Sequence, residues 1–98
     1  MITEEKKKAL EELNRMIEQF ADEHGIEVLA ATSVTERGEE NTSQAVGVVL
    51  IGTTEYLISA IIGCIRSNPM INTILTTAVN CADEVEYNKF NVTKKIKD

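Results

Sequence analysis

The stretch Gly52-Thr53-Thr54 is where this sequence comes nearest to a binding chemistry. A β-branched run ends, a glycine turns the chain, and two threonines head an apolar helical segment. Free backbone N–H groups, hydroxyls and the positive end of a helix dipole together favour an anion there. Threonine is also a common N-cap, so the same residues equally suit a structural role. Arg66 is the only cation between Asn41 and Ala82, and it stands at the far end of the same helix. Within one chain it does not reach Thr53; across an antiparallel symmetric interface it does. A pocket lined by Thr53, Thr54 and Tyr56 with a second copy's Arg66, and with Arg37 of the hairpin loop as a lid, suits a nucleotide-like small molecule. Tyr56 offers a ring to stack on.

Catalytic chemistry finds less support. The single histidine, His24, falls in the last turn of the first helix, where an imidazolium complements the dipole. The sequence holds no Ser/His/Asp or Cys/His grouping, no HExxH, no Walker loop and no GxGxxG. Glu39/Glu40 and Asp83/Glu84/Glu86 have the character of solvated acids. Neither an enzyme nor a cofactor nor a metal site is expected. Cys64 and Cys81 lack CxxC spacing and a nearby histidine, and read as buried free thiols in a reducing, cytoplasmic setting. The N-terminal MITEEKKKALEEL carries no apolar region behind its basic residues, so no secretory signal is expected.

The elements that must position these residues follow from periodicity. Residues 3–24 form an amphipathic helix with Leu10, Leu13, Ile17 and Phe20 on its stripe, widened by Met16 and Ala21. Thr3 caps its start and Gly25 suits an αL stop. Residues 26–35 and 44–51 read as two strands around a polar loop of about eight residues. The second strand is almost continuously apolar, as if covered on both faces. Thr54 to Ser67 forms a second helix, and Ser67-Asn68-Pro69 ends it and opens a third. The third helix carries Ile71, Ile74, Leu75, Ala78, Ala82 and Val85 on its inner stripe. The basic end, residues 87–98, alternates loosely at Phe90, Val92 and Ile96 and leans to a third strand over a frayed tail. The expectation is one α+β domain over residues 1–86, ordered α-β-β-α-α with an optional last β. Its helices lie on one face of a small antiparallel sheet.

The run VGVVLIGTTEYLISAIIGCI is not a membrane span. Gly-Thr-Thr-Glu interrupts it, and its helical part reaches only about 20 Å against a hydrocarbon core of roughly 30 Å. Nucleic acid is a poor partner too. Net charge is −6, and residues 1–86 hold 15 acids against 6 bases, which repels a phosphate backbone.

From Asn41 to Ala82 the only charges are Glu55 and Arg66. The second helix is apolar over more than half its circumference, where a helix on a monomer's surface needs only about a 100° stripe. Ser59, Gly63 and Ser67 place small groups on its polar band. The polar face of the third helix is Asn72, Thr73, Thr76, Thr77 and Asn80, without a lysine or glutamate. Charge-depleted, hydrogen-bonding faces resemble interface cores. A homo-oligomer contact through Leu57, Ser59, Ile61, Gly63 and those five polar residues is expected, the alternative being that they sit under the tail.

The run VGVVLIGTTEYLISAIIGCIRSNPMINTIL, behind an acidic helix and a hairpin, resembles small accessory proteins encoded by bacteriophages and prophages. The likeness covers residues 5–85. It implies a cytoplasmic accessory protein and, among the roles of such oligomeric proteins, an anti-defence sponge that sequesters nucleotide messengers. Few arginines and lysines surround the pocket, which is a departure from that role. The rival expectation is an acidic interaction module that masks a host protein with its first helix and with Glu36, Glu39 and Glu40.

Overall fold

A computed structural model describes residues 2–84 and 90–98. Helix α1 spans Glu4–His24, strand β1 Val28–Arg37, strand β2 Thr42–Gly52, helix α2 Thr54–Ser67 and helix α3 Pro69–Cys81. A short 3-10 turn, Ala82–Glu84, follows, and then strand β3, Phe90–Ile96. The α+β order is the expected one with the last strand present; Val85 of the expected α3 stripe lies outside the described residues.

The sheet runs β1-β2-β3. β1 and β2 pair antiparallel from Val28↔Ile51 to Arg37↔Thr42. The hairpin therefore continues through the polar residues that sequence reads as loop, and its tip is closed by Gly38 N–H donating to Asn41 O at 2.7 Å. β3 pairs parallel to β2, from Val46↔Phe90 to Gly52↔Ile96. The sheet is thus mixed rather than antiparallel throughout. Parallel neighbours need a long crossover, which α2 and α3 supply.

α1 covers one face of the sheet. Thr3 Oγ1 accepts from Lys6 N–H at 3.2 Å, and Gly25, at φ 64°, closes the far end. Leu10 packs with Ala45 and Ile2, and Ala21 with Val49 and Ile51, with Ile17, Val28 and Ala30 against them. At the centre of this layer Asn14 is buried at 3% exposure. Thr32 Oγ1 donates to Asn14 Oδ1 at 2.9 Å and lies 3.3 Å from Gly47 O. Gly47 must be glycine to admit this amide: a Cβ there would stand 1.9 Å from Asn14 Nδ2. Nδ2 itself finds no partner among the described residues, a cost of about 1–3 kcal/mol. Lys95 of β3 bridges to Glu18 and Asp22, tying the sheet's edge to α1.

The helices are not confined to that face. Residues alternate across the strands, so Leu29 and Leu50 point away from α1, and they meet α2. α2 shares an apolar groove with the Leu29–Leu50 end of this face, and Leu57 is its one buried residue. In α3 no residue is buried; Ile71 and Leu75 are half-buried. The radius of gyration, 14.9 Å, exceeds the about 12.6 Å expected of a compact chain this long. The α2–α3 pair is an arm.

Candidate functional site

Of the residues proposed to line an anion pocket, Thr54 is the one whose donors are engaged, and they are engaged by the chain itself. Thr54 donates twice to the Asp98 carboxylate, through its backbone N–H at 2.8 Å and its Oγ1 at 2.6 Å. The hydroxyl bond, then the backbone bond, holds the Asp98 carboxyl below its ordinary range. Thr53 is the N-cap by position but makes no side-chain capping bond. The chain's own carboxylate fills that role, brought there because β3 runs parallel beside β2 and Lys97 N–H donates to Gly52 O at 2.9 Å. Sequence reasoning missed Asp98. The one available signal was an acid just beyond a strand-like segment, with no way to tell where that segment pairs.

The hollow around this point is lined by Thr53, Thr54, Glu55, Ile58 and Asp98, so two carboxylates border it. Tyr56, two positions on from Thr54 and so on another side of the helix, is 58% exposed and does not line it. Arg66 lies in the last turn of α2, about 18 Å along the helix from Thr54. Arg37 lies at the hairpin tip, about 30 Å along the strands from Gly52. Within one chain Thr53 and Thr54 share the hollow, and Tyr56, Arg37 and Arg66 do not line it.

Beside this hollow runs an apolar groove of about 290 Å³. Leu29 and Leu50 of the sheet form one wall, and Ile58, Ile61 and Ile62 of α2, with Leu57 and Ile96, form the rest. Large apolar side chains are also exposed elsewhere on these elements: Val92 on β3, and Met70, Ile74 and Val79 on α3. Of the expected contact residues, Leu57 packs inside its own chain and Ile61 is half-buried. Ser59, Gly63, Asn72, Thr73, Thr76, Thr77 and Asn80 are all exposed. Asn68 accepts from Met70 N–H at 3.0 Å and caps α3, fixing where the arm folds back.

Comparison with protein-family models, with curated proteins and with solved structures finds no match. The geometry carries the functional reading.

Other candidate chemistry disperses. His24 stacks on Phe20, with ring centroids 4.3 Å apart. Both cysteines are free, but Cys64 is exposed rather than buried, and Cys81 is half-buried. Among the described residues no three His, Cys, Asp or Glu side chains group to hold a metal. None of the described helices is long and apolar enough to cross a membrane. Of the acids in the masking reading, Glu36 is engaged by Lys6, which lowers its pKa first through their hydrogen bond, while Glu39 and Glu40 are exposed at the hairpin tip.

Proposed function

We propose that this protein is a non-catalytic binding protein whose working form is a homo-oligomer joined through α2, α3 and the sheet beside them. The surface area carries this reading. The chain exposes 7533 Å², whereas a folded monomer of its mass exposes about 5,500 Å². The excess of about 2,000 Å² per chain matches what each partner contributes to an obligate dimer. Most of the large apolar side chains left open lie on the arm and the neighbouring sheet face. The exposed polar groups there are chiefly amides and hydroxyls, which suit burial in a contact and do not take protons at neutral pH. Native mass spectrometry tests the reading: an oligomer is expected, and a monomer at tens of micromolar overturns it.

The finer form of the proposal is capture of a nucleotide-like small molecule, the anti-defence role that the resemblance to phage proteins implies. It is favoured by the donors of Thr54, which already hold a carboxylate. A ligand phosphate must displace Asp98, and a second copy's Arg66 must offset the acids beside it. Asp98→Ala should then tighten binding of a cyclic dinucleotide in calorimetry. Absence of binding to both proteins overturns capture and leaves the oligomer standing.

A further inference from the structure

We propose that a second copy of this chain lays its α2–α3 arm across the open face of the sheet, each arm covering the other chain's face. This rests on the homo-oligomeric reading and adds which surfaces meet.

The open face is built for a helix. Ala31, Val48 and Val92 stand in one row across the three strands, with Leu29 and Leu50 beside them. Among its described residues charge stands only toward the ends, Arg37 at the hairpin tip and Lys94 next to Leu50. Val92 is 59% exposed and Ala31 is exposed. A sheet face of this kind is stable only under a second layer.

The chain's own arm does not supply that layer. α2 meets the face at the Leu29–Leu50 end alone, and α3 packs on α2 rather than on the sheet. β2, 11 residues long, spans about 35 Å, while α3, at 13 residues, spans about 20 Å. The face is therefore long enough to seat an α3 helix along it.

Arm and face fail in complementary ways. Each chain has one sheet face lacking a helix and one helix pair lacking a surface. Exchange between two copies satisfies both at once and closes on itself, as a two-fold dimer does. Arm against arm would leave both sheet faces wet. The α1 stripe of Leu13, Met16 and Phe20 is also exposed, but Glu12 and Arg15 border it, and it offers no unpaired layer.

Two variants and their mixture test the arrangement by light scattering. Ala31→Glu spoils the face and Ile74→Glu spoils the arm; both side chains are exposed in the chain, so circular dichroism should stay native. Wild type is expected as a dimer and each variant as a monomer. An equimolar mixture should recover dimer, because one of its two junctions joins an unaltered arm to an unaltered face. A dimeric wild type whose variants stay dimeric, or whose mixture stays monomeric, overturns arm-on-face exchange and leaves the homo-oligomer standing. A monomeric wild type overturns both. Should a variant unfold, Val92→Cys in a Cys64→Ser/Cys81→Ser background replaces it as the test. Its thiol labelling should slow as protein concentration rises, while that of Met16→Cys should not; labelling of Val92→Cys that ignores concentration overturns the exchange.

Discussion

On the face of the sheet toward α1, Val49 and Ile51 of the central strand are 0% and 1% exposed; on the opposite face, Leu29 of β1 is 49% and Val92 of β3 59% exposed. The closed face is held by local means: a capped helix, a polar lock at Asn14, and a lysine bridge from the third strand. The open face has side chains as apolar, and α2 reaches only its Leu29–Leu50 end. Apolar character thus says that a residue is to be covered, and the number of chains decides by what.

Removing the same side-chain volume from each side should separate the two faces most strongly. Ile51→Ala leaves a cavity in the closed layer and should cost about 3–4 kcal/mol at every protein concentration. Ile62→Ala, 46% exposed in the chain, should cost under about 0.5 kcal/mol in dilute solution. Its effect belongs to the assembly: the Tm of wild type should rise with concentration, and that rise should shrink in Ile62→Ala. Equal losses from the two variants in dilute solution would show that α2 is already covered within one chain.

Next in size is the polar lock. Gly47→Ala drives a methyl to 1.9 Å from Asn14 Nδ2 and 2.7 Å from Thr32 Oγ1. Overpacking and the lost hydrogen bond together should cost about 3 kcal/mol by urea unfolding. Asn14→Ala in the same chain should recover much of that loss, because it vacates the space the methyl needs. Additive losses in the double variant would mean that the two positions do not share one cavity.

Much of this was legible in the sequence, and what was not has physical causes. The element order, both caps of α1 and the Asn68-Pro69 break follow from local chemistry. The buried side of α1 follows only in part: of the stripe read from sequence, Leu10, Ile17 and Ala21 do face the sheet, but Leu13, Met16 and Phe20 are exposed and Asn14 is buried in their stead. A buried asparagine is sensible only once Gly47 is known to lie opposite. The hairpin extends further than its apolar pattern because exposed strand ends need backbone pairing and not hydrophobicity. At the candidate site, Thr53 and Thr54 were readable as neighbours because they are adjacent at one turn, whereas Tyr56, two positions on, falls on another side of the helix. Asp98 was not readable, since a parallel strand pairing 44 positions away brought it to Thr54.

The arm's hinge gives a smaller effect. Gly52 has φ 133°, and a Cβ there would meet Glu27 Cγ at 2.8 Å. Gly52→Ala should cost about 2 kcal/mol, since this backbone region is nearly closed to other residues. It re-aims α2, so dimer content should fall alongside stability. A variant that loses stability but keeps its dimer would mean that the arm's direction is set elsewhere.

The smallest effects are electrostatic and separate the two sides by pH. Lys95 ties β3 to α1, and its hydrogen bonds to Asp22 and then Glu18 raise its pKa above the usual value of 10.5. A raised lysine stabilises fully below its unfolded pKa and loses that contribution as pH rises through the folded one. Asp98, on the α2 side, is lowered from 3.8 by Thr54, and Glu36 from 4.5 by Lys6. Depressed carboxylates act the other way: their contribution stands above the unfolded pKa and is lost as pH falls through the folded one. Lys95→Met should therefore flatten the loss of stability above about pH 10 and leave the acid limb in place. Asp98→Asn should flatten part of the decline below about pH 4 and leave the alkaline limb in place. Urea midpoints measured against pH decide it. An alkaline limb unchanged in Lys95→Met would mean that the β3 edge is held to α1 by packing alone, and that the closed face needs no charge to stay closed.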